Sequence, residues 1–481
     1  MGLPLASAML ACSTGVSGEK SPPAQAFGNT PKPEALPTAP YFDSVPNFCS
    51  HEHWGSIGSI GTTSEGFRAD TEAGAEPSRP SSICDLVLDP YLGGWIAATG
   101  VDINMLSHRA GRPNFSTWWD QQPKQALDAI RPHLERQLST GTFQCTRRGV
   151  QLLYDINIGT LDLNDWIRAD EAVKEAYNDM FAWYQSAMNK ANFSELIRPV
   201  HPEFYFRTPN KSAADVERSF THTVMRIDPL LDLWTVNCPR RDALAEATRI
   251  EPKDPKSWRT FIERLFDIAE KNGAIGIKQL QAYSRNLEFK PRADSDVLWS
   301  CELKPNEIII FQDWVVNECC KQANERGWPH QVHVGTHNLP DSSPLPLEGL
   351  ARRYPSMKLV MLHCWPYLSE AGWIAKHVPN AFIDTCWMPV LNPTFFRQAV
   401  EEWLTYVPTH KIMCAHDSTS VEMAVGSSLF TREMLSQALA EHVGTYMIEA
   451  PHLGRLAADM LNNNAVSVYG IGKKVKPVTI Y

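Results

Sequence analysis

Apolar residues recur with two different rhythms along this chain, and the change falls near residue 220. Over about 100–215 the spacing is mainly helical. Ala126 to Leu138 and Glu171 to Met188 carry apolar side chains three and four positions apart, the stripe of an amphipathic helix. Beyond residue 220, short apolar runs alternate with amphipathic segments. The runs Thr223–Ile227, Ala274–Lys278, Gln331–Val334, Leu359–His363, Ala381–Asp384 and Lys411–Ala415 predict strands. The intervening segments predict helices with marked ends. One has Asp254 as N-cap and Pro255 in its first turn, carries Trp258, Phe261, Ile262, Leu265 and Phe266 on one face, and stops near Gly273. Another opens at Asn392-Pro393 and buries Phe396, Val400, Trp403 and Leu404. Strand–helix alternation of this kind specifies a parallel sheet with crossover helices.

Spacing selects which parallel sheet. His333, His363, Asp384 and Asp417 stand at or near strand ends, separated by 30, 21 and 33 residues. Eight units sharing roughly 250 residues repeat about every 31, and a (β/α)₈ TIM barrel gathers its strand ends into one mouth. A doubly wound sheet converges less and needs a glycine-rich phosphate loop. The run Gly55–Gly61 lacks a lysine and reads as a loop. The expected organisation is an N-terminal segment 1–45 without a core, rich in Pro, Ser and Gly, followed by a barrel over 46–475 with a mainly helical insertion at about 100–215 beside the mouth. Residues 61–82 predict a long loop.

Composition narrows the partners. The 481 residues are 43% hydrophobic and 21% charged, with a net charge of −9. No basic cluster suits nucleic acid, and no apolar run reaches the ~20 residues of a membrane span. The 11 cysteines form no CxxC pair, so buried reduced thiols are expected. The opening MGLPLASAMLACSTG ends an apolar stretch at Cys12, as a bacterial lipoprotein signal does, but it lacks a basic start. The expectation is a cytoplasmic protein, with lipoprotein-type export through Cys12 as the alternative. A small-molecule substrate is expected, and the outer helices of a barrel offer surfaces for a homo-oligomer.

The candidate chemistry lies in four segments. In VPNFCSHEHWG, His51 and His53 stand two apart, so a strand turns both imidazoles to one face. His333 in HQVHVGTHN, His363 in KLVMLHCWP and Asp417 in KIMCAHDS each follow an apolar run. Imidazole with carboxylate is a ligand set for Zn²⁺, Mn²⁺ or Fe²⁺. Arg226 and Asp228 end the third strand and Arg285 follows the fourth; an arginine in a barrel mouth suits a carboxylate, and the competing reading is an Arg226–Asp228 pair that braces loops. His416 should point away from Asp417 and act structurally, and His201 and His222 fall outside the strand-end pattern.

With these residues in view, the chain resembles the amidohydrolase superfamily. LHCWPYLSEAGWIAKHVPNAFIDTCWMPVLNP, the KIMCAHDS strand and NNNAVSVYGI resemble the branch containing uronate isomerases and nodulin/FluG-type domains. The resemblance covers about 46–52 and 220–475. It implies His51, His53, His333 and Asp417 as metal ligands, with Lys278 at the fourth strand end either a carbamylated bridge between two ions or a charged residue contacting the substrate or pairing with Asp417. One ion, zinc before manganese or iron, is the expected cofactor. His363 is implied to bind a second ion or polarise the substrate, and Asp417 to move protons. His337 and Trp387 are expected to line the substrate pocket, and Asp384 and Glu422 match the branch pattern. The implied activity is hydrolysis of a C–N or ester bond by metal-activated water on a small, carboxylate-bearing substrate. A uronate isomerase or decarboxylase on the same barrel, or a binding barrel without catalysis, are the alternatives.

Overall fold

The alternating runs become eight parallel strands in a computed structural model, which describes residues 41–54, 80, 82–88, 96–101, 115–206, 219–299, 302–445 and 447–472. The strands are β1 (Asn47–Cys49), β2 (Phe193–Val200), β3 (Thr221–Arg226), β4 (Ala274–Gln279), β5 (Pro329–Val334), β6 (Lys358–His363), β7 (Ala381–Asp384) and β8 (Ile412–Met413). They pair in chain order. The first and last meet just beyond their ends, where Asp417 N–H donates to His51 O at 3.0 Å and His53 N–H to Ser418 O at 3.1 Å. The result is the expected (β/α)₈ barrel. The described residues all belong to one compact unit, Thr38–Tyr481.

The helices form where their ends were legible. Among them, α1 (Gly141–Tyr154), α2 (Leu163–Ala176) and α3 (Met180–Lys190) precede β2, and α4 (Pro239–Thr248) and α5 (Pro255–Lys271) join β3 to β4. In α5 the Asp254 carboxylate accepts from Ser257 N–H and the Ser257 hydroxyl caps the Asp254 amide in return. Next come α6 (Pro305–Arg326), α7 (Pro393–Trp403), capped by Asn392 as expected, and α8 (Val421–Gly444).

Several elements differ from the sequence pattern: β1 stops at Cys49, before His51 and His53, and the helical run Glu171–Met188 is split between α2 and α3. Residues 193–200, within the stretch read as mainly helical, form β2, paired to β1 and β3. Ser194, Glu195, Arg198 and Pro199 break any clean alternation there, so its strand character comes from its neighbours. β8 is shorter than Lys411–Ala415 because Cys414 N–H leaves the sheet for Met460 O at 3.1 Å.

The helical layer before β2 packs on α8 through a close crossing. Gly149 of α1 lies against Glu422 O, and Gly426 of α8 against Cys145 O; a Cβ at either glycine would sit 1.8 or 1.7 Å from the carbonyl. Glu422, at the start of α8 just past β8, is fully buried and accepts from Tyr154 Oη (2.7 Å), Tyr177 Oη (2.9 Å) and Trp183 Nε1 (3.3 Å). Trp54, directly after His53, packs edge-on against Tyr184 of α3 at 4.8 Å. The nine described cysteines are all buried and unpaired. No described helix is long and apolar enough to cross a membrane. Cys12, the run Gly55–Gly61 and nearly all of loop 61–82 lie outside the described residues.

Candidate metal centre

His51 and His53 emerge from β1 and turn their Nε2 atoms onto one carboxylate oxygen. Asp417 Oδ1 lies 3.6 Å from His51 Nε2 and 3.2 Å from His53 Nε2. The other oxygen, Oδ2, faces His363 Nε2 at 3.5 Å. His51, His363 and Asp417 are buried, whereas the His53 side chain is 30% exposed and opens the cluster to the mouth.

The hydrogen bonds behind these imidazoles decide which nitrogen is bare. Gln331 Nε2 donates to Ser50 O at 2.7 Å, so its Oε1 is the atom facing His51 Nδ1 at 2.9 Å. An amide oxygen only accepts, which puts the His51 proton on Nδ1 and leaves Nε2 free. Likewise His363 Nδ1 donates to Cys386 O at 2.9 Å, leaving its Nε2 bare to accept from His333 Nδ1 at 3.0 Å, with Asp417 Oδ2 3.5 Å away. This is how metal-binding histidines are held.

The donors fit a divalent cation. Asp417 Oδ1 is buried and accepts no hydrogen bond, a costly state for a carboxylate oxygen unless a cation shares the space. His51, His53 and Asp417 offer ligand atoms within 4.8 Å of one another, and His363, Cys386 and Asp417 do the same. Two imidazoles and a carboxylate are a transition-metal donor set. Burial drives His51 and His333 well down, and His363 to about 4, so these imidazoles are neutral.

Lys278, one residue before the end of β4, lies inside this cluster. Its Nζ lies 3.3 Å from His51 Nε2, and burial lowers its pKa to about 8. His333 reaches the cluster through His363, Nδ1 to Nε2 at 3.0 Å, while its own Nε2 meets the Thr336 hydroxyl at 2.7 Å. Trp387 and His337 stack at 5.8 Å, and Tyr283 continues the stack on His337 at 4.7 Å. Trp387 also stands 5.5 Å from His363 and Tyr283 4.4 Å from His333, so the three rings wall one side of the site.

Thr336, His363, Cys364, Trp387 and Asp417 all have left-handed backbones, with φ of 64°, 67°, 59°, 65° and 54°. Each costs on the order of 1–3 kcal/mol for a non-glycine residue, and such strain concentrates where function fixes a side chain. Beneath the site, Asp384 accepts from the Ser50 hydroxyl and from Cys386 N–H; burial raises its pKa to about 6. Glu52 points away from the centre, accepting from Ser418 N–H at 2.8 Å and the Cys49 thiol at 3.0 Å, and burial raises its pKa to about 8.

The two arginines separate. Arg226 stands beside Lys278 in the β3–β4 register and is paired with Asp228 through Nε (3.2 Å) and Nη2 (2.6 Å), which leaves its Nη1 without a bond among the described residues. Arg285 instead faces α6. It donates to Asp313 at 2.7 Å, Glu288 O at 3.0 Å, Ile309 O and Gln312, and none of these bonds goes to the cluster. A buried guanidinium saturated in this way braces the loop after β4 rather than clamping a ligand. His416 is structural, held by Ser427 and Asn47. Tyr283 and Gln331 were missed in the sequence. Gln331 carried a signal, two residues before His333 on the same strand face; Tyr283 carried only its place in the loop after β4.

Comparison with known proteins follows the same lines. A family model described as amidohydrolase matches residues 291–418. Protein fluG of Emericella nidulans is 24% identical over 242 residues, a match taking in 45% of this chain and 28% of fluG, so the chain spans less than a third of that relative. Among solved structures, uronate isomerase from Thermotoga maritima superposes with a TM-score of 0.69 at 13% identity, covering 90% of this chain and 97% of the other. Glucuronate isomerase from Caulobacter crescentus gives 0.67 at 15% identity, covering 93% and 97%. At these identities the likeness is one of fold.

Proposed function

We propose that the chain is a member of the amidohydrolase superfamily and a metal-dependent hydrolase that cleaves a C–N or ester bond of a small, carboxylate-bearing substrate. The observation carrying this reading is Asp417 Oδ1, buried without a hydrogen bond between the Nε2 atoms of His51 and His53. These three residues hold one divalent ion, zinc before manganese or iron, with His333 reaching it by way of His363. A cation there supplies Lewis acidity, acidifying water and polarising a carbonyl.

The side chains supply the rest. Asp417 Oδ2, directed at His363, is the oxygen free to take a proton from the attacking water and return it to the leaving group. His363, with its proton fixed on Nδ1, accepts from His333 Nδ1 through Nε2 and stands beside Asp417 Oδ2. Arg226 and the Lys278 amine lie side by side and bind the substrate carboxylate. Tyr283, His337 and Trp387 keep water from one side.

The test is a zinc-loaded preparation against N-acyl amino acids, lactones and uronates. Release of amine or alcohol from the first two groups supports hydrolysis. Aldose–ketose interconversion of a uronate, without hydrolysis, replaces this reading with an isomerase on the same centre, and release of CO₂ replaces it with a decarboxylase. Metal content completes the test: near one equivalent in the wild type, lost in His51→Ala/His53→Ala. A wild type that takes up no zinc or manganese removes the enzyme reading and leaves a binding barrel.

A further inference from the structure

His201 directly follows β2, so it occupies a strand end that the sequence pattern did not reveal. The register sets Val200 beside Met225 and Arg226 beside Lys278, so His201, Arg226 and Lys278 form one row along the ends of β2, β3 and β4. Behind His201 stands Arg240 of α4, whose Nη2 lies 2.6 Å from His201 Nδ1. Arg240 is fastened in turn by the buried Glu203 through Nε and, at 3.1 Å, Nη2.

This arrangement fixes the imidazole. A guanidinium carries only donors and keeps its proton, so Nδ1 must be the bare acceptor and the ring proton must sit on Nε2. Among the described residues nothing accepts from that Nε2–H. His416 shows the contrast, since both its nitrogens are engaged inside the wall. Burial lowers the His201 pKa to about 4; Arg226 and Arg240 add to the effect, and Glu203 and Asp228 oppose it. The ring is a neutral donor across the physiological range.

We propose that His201 is a substrate-binding residue, a neutral Nε2–H donor to an uncharged oxygen on the carbon next to a carboxylate held by Arg226 and Lys278, and that Arg240 positions it. The substrate class is thereby narrowed to carboxylates oxygenated at the adjacent carbon, such as 2-hydroxy acids. This rests on the carboxylate reading above, and the experiment separates the two.

Glycolate and acetate serve as probes, their dissociation constants measured by NMR titration of the zinc-loaded full chain. The expected result is that His201→Ala leaves acetate binding unchanged and lowers the preference for glycolate over acetate about fivefold, the loss of one hydrogen bond, while His201→Gln, whose amide N–H stands near the same place, retains most of it. Arg226→Ala weakens both probes. If Arg226→Ala changes neither probe, the carboxylate reading fails. If Arg226→Ala weakens both but His201→Ala leaves the preference intact, the role of His201 fails alone. A second readout needs no ligand: ¹⁵N spectra of the histidine rings, with His201 assigned by its absence in His201→Gln. The expected signals are those of the Nε2–H tautomer, uncharged at pH 6, with protonation moving toward pH 6.5 in Arg240→Gln. An Nδ1–H or charged ring in the wild type overturns the proposal.

Discussion

Gln331 Oε1 lies 2.9 Å from His51 Nδ1, and this contact between β5 and the end of β1 decides which His51 nitrogen can bind a metal. The amide cannot rotate to offer its nitrogen, because that nitrogen is committed to Ser50 O and to Tyr469 Oη at 2.6 Å. The first prediction follows from it. Gln331→Leu removes the acceptor while keeping a similar volume, so His51 loses its fixed tautomer. Zinc affinity should fall about 10- to 100-fold, read by competition with a chromophoric chelator; an unchanged affinity would mean that His51 is not a ligand.

Metal and fold should be linked. Zinc at about a thousand times its dissociation constant stabilises the folded chain by about 4 kcal/mol. Melting curves with and without zinc should therefore differ by several degrees for the wild type. For His51→Ala/His53→Ala the two curves should coincide.

Asp384 gives a pH signature with a definite sign. Its carboxyl keeps its proton up to about pH 6 in the fold, against 3.8 for an ordinary aspartate. The stability that this group contributes is complete below pH 3.8 and is lost as pH rises to about 6. Asp384→Asn has no such proton to lose. In chelator-treated protein, wild-type stability minus that of the variant should fall by about 3 kcal/mol across this window and then level off. A flat difference between pH 4 and 6 would show that Asp384 ionises normally.

The docking of the helical layer should depend on two missing side chains. Gly426→Val places its Cβ 1.7 Å from Cys145 O unless α1 and α8 separate. Overpacking at backbone contact costs on the order of 1–3 kcal/mol or more, measurable by urea denaturation. Val at Gly444, where a Cβ meets nothing within 4 Å, serves as the control and should cost under about 1 kcal/mol.

By itself the sequence determined the barrel and named most of the residues that the fold gathers in the candidate centre. Strands with a local apolar run ending in His333, His363 or Asp417 announce themselves, because both the burial and the exit into a mouth are written within a few consecutive residues. The His51–His53 pair was legible from its i, i+2 spacing after an apolar run, although β1 itself ends at Cys49, before both residues. β2 was not legible, because its Glu195 and Arg198 are tolerated only by what packs on them, and with it went the strand-end position of His201. Tertiary structure alone decided the tautomers, through Gln331 on His51 and Cys386 on His363, and the diversion of Arg285 to Asp313. It also set the coupling of His333 to His363 rather than to Asp417. These are contacts between side chains far apart in the chain, and a hydrogen bond depends on where two atoms meet in space, which local periodicity does not encode.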